Sequence, residues 1–140
     1  IHGNTDAEQQ WLAFIEALRL ELNQSLFLGL QSFERHFARY QKGDFYRRHR
    51  DAFRKNVTAG QMVSSSNRAV SIVAYLNDEW SANDGGELCL YADNDDTSQP
   101  PLQRVFPTTG TLCVFMSEDF PHEVCAAQRE RLSIAGWFRR

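Results

Sequence analysis

The chain has 140 residues, which suits one domain spanning 1–140 around a single core and is short for two. A net charge of −3 and a pI near 5.8 argue against nucleic acid as the main partner, because phosphate binding needs a basic footprint; Arg47, Arg48, Arg50, Arg54 and Lys55 nevertheless form a local basic cluster. No apolar run approaches the roughly 20 residues of a membrane-spanning helix and no signal peptide opens the chain, so a cytoplasmic location is expected, while Ile1 is no initiator and leaves room for residues upstream.

In chain order, Thr5-Asp6-Ala7-Glu8 has the form of a capping box, and Trp11, Phe14, Ile15, Leu18 and Leu22 follow at helical spacing. The spacing predicts a helix over 6–23 whose apolar stripe backs a sheet. Gln31 to Tyr40 alternates, with Phe33 and Phe37 opposed to Glu34 and His36, and reads as the first strand. Gly43 turns the chain into a second strand, Phe45 to Asp51. Arg54 to Asn67 is polar and aperiodic, with Gly60 and three consecutive serines, and suits a loop that closes over a site as a lid. Ala69 to Leu76 is a buried strand by its Val and Ile content, and Asn83-Asp84-Gly85-Gly86 is a turn before a strand over Glu87 to Tyr91. After the acidic loop Ala92 to Pro101, strands are expected over Gln103 to Phe106, Thr111 to Phe115, His122 to Cys125 and Arg131 to Phe138. One helix followed by about eight short, evenly spaced strands is the pattern of a two-sheet jelly roll, with its core over about 31–138.

The chemistry concentrates in a few of these segments. His49 and Asp51 stand two residues apart, and on a strand positions i and i+2 project from one face. Two His and one carboxylate are the usual ligands of an open non-haem Fe(II) site, so a second His is needed, and His122 on a late strand is the best candidate. Arg131 follows across a tight turn and opens the last strand with Ser133 on its face; a guanidinium fork beside a hydroxyl suits capture of a carboxylate. A bare H-x-D pair is common by chance and a single arginine is usually a surface residue, but H-x-D, a distant His and R-x-S in this order favour an enzyme. His36 has no ligand-spaced neighbour and reads as a hydrogen-bonded structural histidine. Cys89, Cys113 and Cys125 form no Cys-x-x-Cys and sit in apolar runs, as buried thiols of a reducing compartment do.

Several stretches together carry a family resemblance: Ala38-Arg39-Tyr40, Phe45-Tyr46-Arg47-Arg48-His49-Arg50-Asp51-Ala52-Phe53, Tyr75-Leu76-Asn77-Asp78-Glu79-Trp80, Gly85-Gly86-Glu87-Leu88, Pro121-His122-Glu123-Val124 and Arg131-Leu132-Ser133-Ile134-Ala135-Gly136-Trp137-Phe138. Over roughly Phe33 to Phe138 the chain resembles the Fe(II)/2-oxoglutarate-dependent oxygenases, most closely the prolyl 4-hydroxylase-like group that includes bacterial SM-20-related proteins. The resemblance implies a mostly β protein with an N-terminal helix and a double-stranded β-helix, or jelly roll. It implies His49, Asp51 and His122 as iron ligands and catalytic residues, and Arg131 as the residue binding the distal carboxylate of 2-oxoglutarate. Tyr75 matches a tyrosine contacting the same carboxylate, Tyr40 one lining the pocket, and Trp137 an aromatic beside the metal.

The implied activity is hydroxylation of a prolyl residue in a partner protein or peptide, with release of succinate and carbon dioxide. Fe(II), 2-oxoglutarate and molecular oxygen are the implied cofactor and cosubstrates, and ascorbate is a candidate accessory. The chain departs from the animal oxygen-sensing hydroxylases after Asp51, so their substrate does not transfer. The halogenating branch lacks the metal carboxylate, so Asp51 favours hydroxylation. The alternatives are the same chemistry on a nucleic acid or free amino acid, and a non-catalytic metal-binding jelly-roll module.

Overall fold

The computed structural model describes residues 5–52, 67–94 and 96–140. The helix α1 (Asp6–Leu26) starts as its sequence predicts: the Thr5 hydroxyl accepts from the Glu8 amide while the Glu8 carboxylate accepts from the Thr5 N–H. It runs one turn beyond the predicted end at Asn23 and stops where Phe27 adopts a left-handed φ of 54°. Nothing between Asn23 and Leu26 breaks a helix. Asn23 instead clamps the following connection, its amide donating to the Leu30 carbonyl and its oxygen accepting from the Leu30 N–H. Ile15 is buried and Trp11, Leu18 and Leu22 pack partly, whereas Phe14, expected in the stripe, is 48% exposed.

Among the described residues eight strands follow: β1 (Ser32–Tyr40), β2 (Tyr46–His49), β3 (Arg68–Tyr75), β4 (Leu88–Leu90), β5 (Gln103–Val105), β6 (Leu112–Met116), β7 (His122–Val124) and β8 (Arg131–Arg139). A short 3-10 turn, Ala82–Asp84, occupies part of the predicted turn before β4. The strands form two antiparallel sheets, ordered β1-β8-β3-β6 and β2-β7-β4-β5, which is the expected jelly-roll arrangement. Two details differ from expectation. β2 ends at His49, so Asp51 lies in a bend beyond the strand, next to a register shift in the β2–β7 pairing. β7 and β8 also belong to opposite sheets, so the segment between them is a crossover and not a hairpin turn.

Each face of the larger sheet has its own apolar cluster. Outside, Ile15 and Leu30 pack on Ala69, Val70, Ile72 and Phe138. Between the sheets, Leu88 and Leu90 meet Cys113 and Phe115, with Val73 and Val124 partly buried against them. The period-two alternation of β8 decides which side chains reach the interior, because Arg131, Ser133, Ala135 and Trp137 all line one cavity there. Gly136 faces the other way under the Phe33 ring; a Cβ at this position would come within 2.4 Å of that ring.

Cys89 and Cys113 are buried, as expected, and Cys125 is half-buried; none is in a disulfide. Among the described residues no helix is long and apolar enough to cross a membrane. The predicted lid, Arg54 to Asn67, lies outside the described residues except at Asn67, as do Phe53, Arg54 and Lys55.

Candidate active site

The cavity between the sheets has a volume of about 330 Å³ and is lined from both. The smaller sheet contributes His49 from the end of β2 and His122 from the start of β7, cross-strand partners in register. Asp51 reaches the same point from the bend: its Oδ1 lies 3.3 Å from His49 Nε2 and its Oδ2 3.6 Å from His122 Nε2. The three ligand-type side chains converge, one candidate donor atom from each lying within 4.8 Å of the others. The same-face argument from a continuous strand fails here, since Asp51 is off the strand; the bend delivers its carboxylate.

Both imidazoles are oriented from behind. His49 Nδ1 lies 2.8 Å from the Arg47 carbonyl and His122 Nδ1 3.0 Å from the Phe120 carbonyl. A carbonyl can only accept, so each Nδ1 carries a proton and each Nε2 is turned toward the Asp51 carboxylate, where it donates when protonated and is free to ligate a metal when not. Burial opposes a charged His49, but its hydrogen bond to Asp51 outweighs that and pushes its pKa up. Asp51 in turn accepts at Oδ2 from the Ser71 hydroxyl at 2.6 Å, and Ser71 is 2.8 Å from the Ser117 hydroxyl. Burial opposes ionisation of Asp51, but the His49 hydrogen bond, the nearby His122 and Ser71 outweigh it and hold the carboxyl well below the usual carboxylate range. Burial pushes the His122 pKa down, which favours the neutral form a metal requires.

Arg131, from the larger sheet, is 2% exposed. Its Nε donates to the Gly86 carbonyl at 2.8 Å and an Nη to the Ser133 hydroxyl at 3.4 Å. Gly86 permits this approach: at φ +67 it has no side chain, and a Cβ would come 3.0 Å from the Arg131 Cδ. Among the described residues no carboxylate pairs with this buried guanidinium. The Tyr40 and Tyr75 rings flank it, with centroids 5.2 and 5.1 Å from its carbon, and the buried Tyr75 hydroxyl has no hydrogen-bond partner. An unpaired buried cation beside an unpaired buried hydroxyl fits an anionic, hydrogen-bond-accepting ligand such as a carboxylate. The chain thus has residues suited to both an iron ion and a dicarboxylate.

Tyr40, Ser133 and Trp137 line the cavity directly, while Tyr75 packs beside Arg131. His36 is not the structural histidine expected from its spacing: it is exposed, lines the cavity, and sets its ring 5.3 Å from that of Trp137. Its shared face with Ala38 and Tyr40 was the available signal. Arg68 stacks 3.7 Å over Trp137, held by Glu34. Ser71 and Ser117 carried no sequence signal, being single serines in an apolar strand and in the turn just after one. Two members of the basic cluster are engaged within the protein, Arg48 over the Tyr91 ring and Arg50 paired to Asp93, while Arg54 and Lys55 lie outside the described residues.

Comparison with known proteins agrees with this geometry. The family model of the 2OG-Fe(II) oxygenase superfamily matches residues 35–139. A Pseudomonas putida prolyl-4-hydroxylase structure is 46% identical, covering 100% of this chain and 70% of that one, with a TM-score of 0.83. A Trichoplax adhaerens prolyl hydroxylase, solved with a hypoxia inducible factor oxygen degradation domain peptide, is 26% identical over 99% of this chain and 60% of that one, with a TM-score of 0.73. The prolyl 3,4-dihydroxylase OGFOD1 of Ostreococcus tauri is 35% identical over 81 residues, 51% of this chain, and the match spans only 16% of that protein's length. From the family match along most of its length and the likeness to a solved prolyl-4-hydroxylase, the chain belongs to the 2OG-Fe(II) oxygenase superfamily.

Proposed function

We propose that this protein is a cytoplasmic hydroxylase that oxidises a prolyl residue of a partner protein, with His49, Asp51 and His122 holding Fe(II) and Arg131 holding the distal carboxylate of 2-oxoglutarate. The observation that carries the reading is Arg131: a buried guanidinium with no carboxylate partner among the described residues, in the same cavity as two imidazoles and an aspartate. A metal-binding module without turnover has no use for that cation. The prolyl substrate is supported by the Pseudomonas putida likeness.

Fe(II) with 2-oxoglutarate supplies oxygen activation coupled to oxidative decarboxylation, yielding succinate and carbon dioxide. The chain's own residues do the positioning. His49 and His122 offer Nε2 because the Arg47 and Phe120 carbonyls fix their tautomer. Ser71 occupies Asp51 Oδ2 and so leaves Oδ1 as the freer donor. Arg131, with Ser133 and Tyr75, grips the far carboxylate and sets the distance of the cosubstrate from the metal. Trp137 and Tyr40 form apolar walls that exclude water. Ascorbate would serve as an accessory reductant, and three cysteines free of disulfides suit a reducing compartment. A nucleic-acid substrate is less supported, since Arg48 and Arg50 of the cluster that favoured it are engaged internally.

The test is mass spectrometry of proline-containing partner proteins incubated with the chain. A gain of one oxygen on proline that needs both Fe(II) and 2-oxoglutarate is expected. Oxidation confined to nucleic acid or to a free amino acid would replace the prolyl assignment.

A further inference from the structure

Among the described residues a second group of ligand-type side chains converges, away from the cavity: Glu87, Cys89 and Cys125. Glu87, just before β4, and Cys89 within it alternate with Leu88 and Leu90, so they face away from the inter-sheet cluster that holds those leucines, Cys89 being fully buried beneath its neighbours. Cys125 follows β7 directly, with its amide bonded to the Glu87 carbonyl at 3.0 Å. The two sulfurs lie 3.7 Å apart, and the ligand atoms of the three residues fall within 4.8 Å of one another. We propose that Cys89, Cys125 and Glu87 form a second metal site, selective for a thiophilic divalent ion such as Zn²⁺ and separate from the oxygenase centre.

The sulfur separation is the first argument. With metal–sulfur bonds of about 2.3 Å at a tetrahedral angle, two thiolates on one Zn²⁺ stand about 3.7 Å apart, so the pair needs no rearrangement to chelate. The carboxylate supplies a third ligand and leaves the fourth position to water. The second argument is that a cation already visits the spot: an Arg104 Nη lies 3.2 Å from Glu87 Oε1 and 3.5 Å from Cys89 Sγ. That side chain is 53% exposed, on a flexible stem, and can swing out as a metal enters past the half-buried Cys125. Two soft thiolates with one carboxylate discriminate against Mg²⁺ and Ca²⁺, which prefer oxygen alone.

Metal entry replaces two S–H bonds with two metal–sulfur bonds and releases two protons to solvent. Glu87 and Tyr91, which flank β4, Glu123 on β7 and Arg104 on β5 are the charged and titratable groups around the sulfurs. Affinity should therefore fall by about 100-fold for each pH unit of acidification below the thiol range. The site joins β4 to the chain leaving β7, the strand that begins with His122.

The experiment is an anaerobic Co²⁺ titration of the reduced full chain, read by thiolate-to-cobalt charge-transfer absorption in the near ultraviolet. His49, Asp51 and His122 offer no sulfur, so Co²⁺ bound there is silent in this band. The band should saturate by two equivalents in the wild type, where the silent site also takes cobalt, and at one equivalent in Asp51→Ala, and vanish in Cys89→Ser and in Cys125→Ser. Glu87→Gln should weaken cobalt binding while keeping the band. No sulfur band in the wild type, a band surviving either serine substitution, or unchanged affinity in Glu87→Gln would overturn the site. Both serine variants should keep wild-type 2-oxoglutarate turnover, so failure here is distinct from failure of the oxygenase reading.

Discussion

Ser71 shows how much of this centre depends on a residue that touches neither proposed ligand. Its hydroxyl fixes one oxygen of Asp51 and is itself held by Ser117, both buried. Replacing Ser71 by Ala should lower Fe(II) affinity by about 10- to 100-fold, as loss of a ligand-orienting partner does, with far-ultraviolet circular dichroism unchanged. An iron titration checks it, and wild-type affinity would show that Asp51 needs no such support. Asp51→Ala, His49→Ala and His122→Ala should each reduce 2-oxoglutarate turnover to background while the chain stays folded. Wild-type turnover in any of the three would remove that residue from the metal set. These residues were legible in the sequence because metal ligands come from a short list of types at recognisable spacing. Ser71 and Ser117 were not, since a lone serine within or just after an apolar strand reveals its partner only once the strands are in register, and His36 was misread because exposure at a cavity mouth is not a local property.

Element existence followed from periodicity, and element ends followed from contacts that periodicity does not contain. The helix was expected to stop at Asn23 because the apolar spacing ends at Leu22, yet Asn23 is held by Leu30 and the helix closes at Phe27. β2 was expected to include Asp51, but the strand ends at His49 and the carboxylate arrives from a bend. Local packing also dictates Gly136, midway along β8. Gly136→Ala would drive a methyl into the Phe33 ring and to 2.8 Å from the Glu34 carbonyl oxygen. Overpacking of this kind should cost about 1–3 kcal/mol, read as a lower denaturant midpoint at unchanged slope. An unchanged midpoint would mean that β1 and β8 separate more easily than their register implies.

At the scale of the molecule, the jelly roll was legible from strand count and spacing, but the partition of strands between sheets was not. His122 and Arg131 are close in sequence and belong to opposite sheets, so the crossover between β7 and β8 puts the proposed metal and dicarboxylate residues on facing walls of one cavity. The central claim is that this cavity holds 2-oxoglutarate through Arg131. The direct measurement is anaerobic titration of 2-oxoglutarate and of Fe(II) into wild type and Arg131→Lys. Lysine keeps the charge but loses the two-pronged grip, and losing a buried charged hydrogen bond costs about 2–5 kcal/mol. The account predicts a fall in 2-oxoglutarate affinity of about 30-fold or more, with Fe(II) affinity in its absence nearly unchanged. Equal 2-oxoglutarate affinity in the two proteins would contradict it.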